Sequence, residues 1–126
     1  MPIIGIDHVQ LAMPPDCEDE ARAFYGALLG LSEVPNPPAL AARGGVWFAN
    51  DAVSVHVGVD PSFTASRKAH PGFLVTDLDT LIARLEAAGH AARAGEAIAR
   101  ARRVHVDDPF GNRLELVQRQ TEVAPA

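Results

Sequence analysis

Three histidines and one glutamate stand at matched positions in two stretches of this sequence. His8 lies near the start of the first stretch and His56 near its end. His70 lies near the start of the second stretch and Glu115 near its end. The separations are similar, at 48 residues (56 − 8) and 45 residues (115 − 70). Imidazole nitrogens and carboxylate oxygens are common ligands of divalent Fe, Mn, Ni, Co and Zn. The pattern therefore predicts a divalent metal site, of unspecified metal, with His8, His56, His70 and Glu115 as ligands.

Strand-like alternation places most of these candidates opposite apolar side chains. Along residues 52–59, valines alternate with a polar set that includes His56, and the valine face is expected to pack on a helix. Glu115 alternates in the same way with Leu114 and Leu116. We therefore expect His56 and Glu115 to face the space that the sheet encloses.

Four further residues are predicted to take part in the chemistry. His105 and Arg103 share a face of the strand beside Glu115, so His105 is a candidate acid or base alongside that carboxylate. Arg103, Gln10 and Trp47 are predicted substrate contacts, with Gln10 on the same face of its strand as His8.

Each candidate also has an interpretation that needs no metal. A lone histidine on a strand is more often a surface or hydrogen-bonded core residue than a ligand. His56 then becomes a hydrogen-bonding residue of the cleft lining, and Glu115 pairs with Arg103 or Arg113. The sequence pattern leaves both interpretations open.

The elements that must position these residues form the same order twice. In the first module, Asp16 is the expected N-cap of the helix. Acidic residues in the first turn of that helix interact favourably with its dipole. The strand and helix bounds predicted for this module are a strand at 3–12, a helix at 17–29, and strands at 39–43, 45–50 and 52–59.

A linker is expected at residues 60–69, followed by the second module. Asp77 or Asp79 is its expected helix cap. The predicted elements are a strand at 70–76, a helix at 78–88, strands at 90–93, 101–106 and 112–118, and a loose tail at 120–126. The whole chain, 1–126, is thus predicted to be one domain, with module one at about 3–59 and module two at about 70–119.

Length and composition are those of an ordinary globular protein. The chain has 126 residues and a net charge of −5, which argues against nucleic acid or an anionic membrane as a partner. No apolar run approaches the roughly 20 residues that cross a membrane. One cysteine, Cys17, cannot form an internal disulfide, and no signal-peptide pattern opens the sequence, so a cytoplasmic location is expected.

Four segments resemble the vicinal oxygen chelate superfamily, which includes glyoxalase I, extradiol dioxygenases, fosfomycin-resistance thiol transferases and bleomycin-resistance proteins. The last segment is the most diagnostic, because it is similar to the Asp-Pro-x-Gly-Asn-x-x-Glu turn and final strand of the family. The segments are Ile6–Val9, Ala23–Leu31, His70–Asp79 and Asp108–Leu116.

The resemblance implies an α+β fold in which two tandem βαβββ modules form an open, curled, eight-stranded mixed sheet around a cleft. It implies that His8, His70 and Glu115 stand where metal-using members place ligands. His56 departs from the Glu or Gln that glyoxalase I usually carries there, and Pro71 is a second departure, which is expected at a strand edge or bulge. A homodimer is also implied, with modules paired within a chain or exchanged between chains.

The function implied is that of a metal-dependent glyoxalase-like lyase, isomerase or transferase. Its substrate would be a small carbonyl or vicinal-oxygen molecule chelated to the metal. A metal-free, bleomycin-resistance-like protein that sequesters an antibiotic or metabolite is the alternative, and a small extradiol-type dioxygenase is another.

Overall fold

The structure, a computed structural model, describes residues 2–120 and divides into two compact units at the boundary between Ala65 and Ser66. This boundary falls inside the predicted linker, 60–69. Each unit holds one βαβββ module with its own open four-stranded mixed sheet, which confirms the predicted fold class. Most of the predicted tail, 121–126, lies outside the described residues.

Module one contains four strands in the order β1-β4-β3-β2, with β1 parallel to β4 and the other pairs antiparallel. Its main helix, α1 (Glu18–Ala21), continues directly into a π-helical segment (Arg22–Leu28). Gly30 follows with a φ of 78°, a conformation that glycine adopts without a Cβ penalty. The strands are β1 (Val9–Met13), β2 (Ser32–Val34), β3 (Val46–Ala49) and β4 (Ser54–Val59).

The core of module one lies between the helix and one face of the sheet. Val55 and Val57 of β4 are buried, as the alternation predicts, and Phe48 of β3 packs with its ring centroid 5.7 Å from that of Tyr25. Because side chains alternate along a strand, the intervening His56 lies on the opposite face of β4. Burial of the apolar face therefore fixes the side on which the candidate ligand stands.

Three predictions for module one are wrong in detail. The predicted strand 39–43 is instead a short helix, α2 (Pro38–Ala41), because proline suits the first helical position and alanine and leucine favour helix. The predicted strand 3–12 forms only at β1, since the register places Ser54, where β4 begins, opposite residue 8 and leaves residues 3–7 beyond its end. The helix is capped by Cys17 rather than Asp16, which has a positive φ of 62°.

Module two repeats the topology, with strand order β5-β8-β7-β6 and β5 parallel to β8. The edge position of β5 agrees with the expectation from Pro71, which precedes it. Helix α3 (Leu78–Ala87) begins at the predicted cap Asp77, whose side chain accepts a hydrogen bond from Thr80 N. The strands are β5 (Gly72–Leu74), β6 (Arg93–Ala94), β7 (Ala101–Asp107) and β8 (Arg113–Arg119).

A buried turn sets the register between β7 and β8. Asp108 Oδ1 accepts hydrogen bonds from the backbone N–H groups of Phe110 and Asn112, and the Asn112 amide donates to Asp108 Oδ2 at 2.8 Å. Gly111 supplies the positive φ, 93°, that this turn requires. The register that results places His105 directly opposite Glu115.

Within residues 2–120, the helices are too short or too polar for any of them to cross a membrane.

Candidate functional site

Both modules bring together side chains at the same three positions of the fold. In module one, His56 on β4 is paired with Gln10 on one side and with Trp47 on the other. In module two, Glu115 on β8 is paired with Gly72 and with His105. His8 lies two residues before Gln10, and His70 lies two residues before Gly72. The equivalent sets are therefore His8, His56 and Trp47 in module one, and His70, Glu115 and His105 in module two.

His70 is held by backbone at one ring nitrogen and faces a carboxylate with the other. Its Nδ1 lies 2.7 Å from the carbonyl oxygen of Lys68, which can only accept, so Nδ1 carries the hydrogen. Its Nε2 lies 3.2 Å from Oε1 of Glu115. In the neutral ring a lone pair therefore points at a carboxylate oxygen, and a proton or a metal ion is needed between the two acceptors.

Glu115 is fixed by its backbone and by a guanidinium. Its N–H donates to the carbonyl oxygen of Pro71 at 3.0 Å. Arg103 donates from Nε to Oε2 at 2.8 Å and from Nη2 to Oε1 at 2.6 Å, and Nη1 donates to the carbonyl oxygen of Glu96. These hydrogen bonds from Arg103, helped by the nearby His70 ring and opposed by burial, lower the pKa of Glu115 to about 2. The carboxylate is therefore ionised near neutral pH.

His105 completes the cluster from the neighbouring strand. Its ring lies edge-on to that of His70, with centroids 5.4 Å apart. Burial lowers the pKa of His105 and favours the neutral imidazole, against the pull of Glu115. Its Nδ1 is buried and has no hydrogen-bond partner among residues 2–120, which leaves an acceptor or donor open for a ligand.

The donor atoms of module two fit a divalent cation. One ligand atom each from His70, His105 and Glu115 lie within 4.8 Å of one another. With bonds of about 2.0–2.2 Å, neighbouring ligand atoms on one ion stand about 3 Å apart, which is close to the 3.2 Å between His70 Nε2 and Glu115 Oε1. Arg103 uses one lone pair on each carboxylate oxygen and leaves others for a metal.

The equivalent residues of module one stack instead of converging. The ring of His56 lies between that of Trp47, 3.7 Å away at 4°, and that of His8, 4.2 Å away at 19°. Burial, and secondarily the charge of His8, lowers the pKa of His56. His8 Nδ1 lies 2.8 Å from Asp7 Oδ1. Imidazole lone pairs lie in the ring plane, so two parallel rings direct them along separate planes, and a shared ion would require one ring to turn.

Gln10, a predicted substrate contact, lies on the same module beside a small residue. Its side chain donates to the backbone oxygen of Leu11, and its Nε2 lies 2.6 Å from the place where a Cβ on Gly58 would stand. Glycine at position 58 therefore makes room for the amide.

Comparison with known proteins identifies the family. A family model described as a glyoxalase-like domain matches residues 12–117. A Bacillus anthracis protein described as a glyoxalase family member shares 42% identity, with 95% of this chain and 98% of that chain covered and a TM-score of 0.89. The chain belongs to the glyoxalase-like domain family. No curated protein matches it.

Two other solved structures share the fold of this chain. The fosfomycin resistance protein FosX from Listeria monocytogenes is 16% identical, covers 97% of this chain and 96% of its own, and has a TM-score of 0.73. A glyoxalase/dioxygenase from Nostoc punctiforme is 20% identical, covers 95% and 94%, and has a TM-score of 0.77. At these identities the likeness concerns the fold alone.

Within this glyoxalase-like chain, the predicted ligands divide into two pairs. His70 and Glu115 meet in module two, and His8 and His56 stack in module one; their membership of a common site stays a prediction. The alternative pairing of Glu115 with Arg103 is present, so the guanidinium proposed as a substrate contact already has a carboxylate partner. The carbonyl of Lys68, which orients His70, was not predicted, because no residue type signals a backbone acceptor.

Proposed function

We propose that this glyoxalase-like chain is a divalent-metal-dependent enzyme acting on a small carbonyl or vicinal-oxygen substrate. The observation that supports the proposal is the approach of His70 Nε2 to Glu115 Oε1 at 3.2 Å, with Nδ1 of the same ring held by the carbonyl of Lys68. Metal-ligating histidines commonly donate their other ring N–H to such an acceptor. The donor set of nitrogen and oxygen suits Fe, Mn, Ni, Co or Zn.

The residues have separable roles in this proposal. His70 and Glu115 would hold the ion, which when bound supplies Lewis acidity to the oxygens of a chelated substrate. Arg103 keeps Glu115 ionised and fixes the orientation of its carboxylate. His105, neutral and partly buried, is placed to accept a proton from a substrate carbon or oxygen and return it. The reaction class that fits is a lyase, isomerase or transferase reaction.

Metal analysis of the purified, untagged chain tests this proposal. We expect about one transition metal ion per chain after reconstitution, and loss of the ion in Glu115→Ala. The metal-loaded protein is then screened against carbonyl, epoxide and catechol substrates, of which turnover of a catechol with O₂ would favour the dioxygenase alternative. A wild-type chain that binds none of the five metals after reconstitution contradicts the proposal.

A metal-free sequestering protein is a second candidate, and two observations favour it. Arg103 already neutralises Glu115, and Trp47, which stacks on His56, is the kind of aromatic side chain on which a planar molecule stacks. Because Trp47 is the one tryptophan in the sequence, its fluorescence reports directly on such binding. Saturable quenching by a planar drug in the presence of a chelator would support this candidate over the enzyme.

We also propose a homodimer and a cytoplasmic location. The single cysteine, which cannot form an internal disulfide, supports the location. Exposed Ile3, Ile4 and Ile6 support association, since exposed apolar groups favour an interface. Light scattering of the purified chain tests the dimer, and a monomeric mass across the micromolar range would contradict it.

A further inference from the structure

Arg103 donates three hydrogen bonds from its guanidinium, and two of them go to the same carboxylate. Its Nε donates to Oε2 of Glu115 at 2.8 Å, and its Nη2 donates to Oε1 at 2.6 Å. Both side chains are largely buried. These two N–H groups form the parallel pair with which a guanidinium binds a carboxylate. The guanidinium therefore fills the side of the carboxylate that its two oxygens share.

The backbone of the segment that follows β6 holds Arg103 in place. The third guanidinium hydrogen bond runs from Nη1 to the carbonyl oxygen of Glu96 at 3.3 Å. The N–H of Gly95 donates to the carbonyl oxygen of Arg103 at 3.0 Å. A Cβ at position 95 would stand 3.2 Å from Cβ of Arg103, which is tighter than ordinary van der Waals contact. Contacts other than Glu115 thus fix both the backbone and the guanidinium of Arg103.

We propose that Arg103 is a positioning residue that restricts Glu115 to coordinating a metal ion through one oxygen, and that it thereby selects against ions that depend on oxygen ligands. The inference rests on the proposed metal dependence and deepens it by narrowing the choice of metal. It holds whichever further residues complete the coordination of the ion.

The geometry of the carboxylate supports this restriction. A metal ion that takes both oxygens of Glu115 must lie on the side that the oxygens share, where the guanidinium of Arg103 already stands. Each oxygen keeps one further lone pair. These remaining lone pairs point away from each other, so one ion can use only one of them. The Nε2 atom of His70 lies 3.2 Å from Oε1, which makes Oε1 the oxygen for an ion shared with that ring.

A carboxylate limited to one oxygen affects the candidate metals unequally. Carboxylate, carbonyl and water oxygens suit Mn²⁺, whereas imidazole nitrogens suit Fe, Ni and Zn. An ion that is satisfied by nitrogen loses little when the second carboxylate oxygen is withheld, and Mn²⁺ loses more. Among Fe, Mn, Ni, Co and Zn, the ion that Arg103 disfavours is therefore Mn²⁺.

Separate titrations of the metal-free, full-length chain with Co²⁺ and Mn²⁺ test the inference. The readout is the Mn²⁺ dissociation constant divided by that of Co²⁺, because partial loss of structure weakens the binding of both ions together. We compare wild type with Arg103→Gln, which removes the charge, and with Arg103→Lys, which keeps it as a point charge without the planar fork. Circular dichroism melts check that each variant folds.

Arg102→Gln is the matched control. Arg102 is the neighbouring residue on β7, and alternation places its side chain on the opposite face of the strand. There its Nη1 donates to Oδ1 of Asp79 at 2.8 Å, so the variant also breaks an arginine–carboxylate pair, away from Glu115. The ratio of dissociation constants in this variant should equal that of wild type.

We expect the ratio to fall by about 10-fold in both Arg103 variants, the lower end of what removal of an outer-shell partner costs. An unchanged ratio in a folded Arg103 variant overturns the inference, as does an equal fall in Arg102→Gln. A wild-type ratio in Arg103→Lys also overturns it, because charge alone would then suffice. A wild-type chain that binds neither ion overturns the proposed function together with the inference, whereas binding of both ions with no change of ratio overturns the inference alone.

Discussion

Modules one and two place side chains at three equivalent points of the same strand framework, yet they make different sites. In module one, three rings stack with centroid distances of 3.7 and 4.2 Å. In module two, two imidazoles and a carboxylate converge beside a guanidinium. Strand register thus decides which side chains meet, and residue type then decides whether they pack or form a cluster of metal-binding donors.

The exchange of Trp47 for His105 accounts for most of this difference. An indole has a large flat face and one donor, so it stabilises a neighbouring ring by stacking and offers no lone pair to an ion. An imidazole at the same register position offers a nitrogen donor next to Glu115. The predictions below test this contrast, from the largest expected effect to the smallest.

Replacement of Glu115 with Gln should have the largest effect. We expect Co²⁺ affinity to fall by about 100-fold or more, because the charged ligand is lost. Stability should also fall, by about 1–2 kcal/mol, since Arg103 loses its charge-assisted hydrogen bonds. Isothermal titration and urea unfolding measure the two effects. Glu86→Gln, on the exposed side of α3, is the control and should change neither; equal metal affinity in the two variants would remove Glu115 from the site.

Acid should destabilise module two through the same carboxylate. The pKa of Glu115, about 2, lies below its ordinary value of 4.5, so the folded protein binds the proton less readily than the unfolded chain does. The stabilisation is therefore complete above about pH 4.5 and is lost as pH falls toward 2. It amounts to between about 1 and about 3 kcal/mol, the upper figure applying without solvent screening.

Urea unfolding of the metal-free chain between pH 5 and pH 2.5 measures this loss. The Arg103→Gln variant should show a shallower acid dependence, because the guanidinium that holds the pKa of Glu115 down is gone. An identical pH dependence in wild type and variant would show that the ion pair does not set the acid sensitivity.

Loss of a side-chain hydrogen bond in the buried turn of module two should lower the free energy of unfolding more than the equivalent loss in module one. Asn112→Ala removes a buried hydrogen bond to Asp108 and should cost about 1–2 kcal/mol, while weakening Co²⁺ binding through the His105–Glu115 register. Asn50→Ala is its counterpart in module one, where the side chain accepts from the N–H groups of Ala52 and Val53 at an exposed turn. A larger cost at Asn50, by thermal unfolding, would contradict this ranking.

A smaller pH effect is expected from the stack in module one. The lowered pKa of His56 means that the unfolded chain takes up the proton more readily, so stability is present above its ordinary value of 6.5 and declines as pH falls below it. His56→Phe keeps a ring between Trp47 and His8 and should remove this dependence. Thermal melts followed by Trp47 fluorescence at pH 7.5 and 5.5 measure this pH dependence of stability. If the variant shows the same difference in melting temperature between the two pH values as wild type, His56 is not its source.

The sequence was sufficient to predict the repeated modules but not every element within them. The period-two valines of β4 and the Asp77 cap of α3 lie where alternation and capping place them. The helix at Pro38–Ala41 and the late start of β1 at Val9 were missed, since both depend on which strand is available as a partner. Local propensity carries no information about partners that are far away in the sequence.

The site was predictable at the level of residue type and strand face. The duplication singled out His70 and Glu115, and the shared face placed Arg103 and His105 beside them. Whether the rings of His8 and His56 converge or stack is a matter of side-chain torsions and of neighbouring bulk, which one sequence does not encode in any local pattern. The β7–β8 register, counted outward from the Asp108 turn, would have indicated that His105 stands opposite Glu115.

Nitrogen-15 NMR of the histidine side chains during Zn²⁺ addition tests the central claim most directly. The sequence has five histidines, and the ring nitrogens of each give separate signals that move when the ring binds a metal. We predict that the signals of His70 shift with one Zn²⁺ per chain, while those of His90, outside the cluster, stay in place. Unchanged signals of His70, or equal shifts at His70 and His90, would contradict the assignment of His70 as a metal ligand.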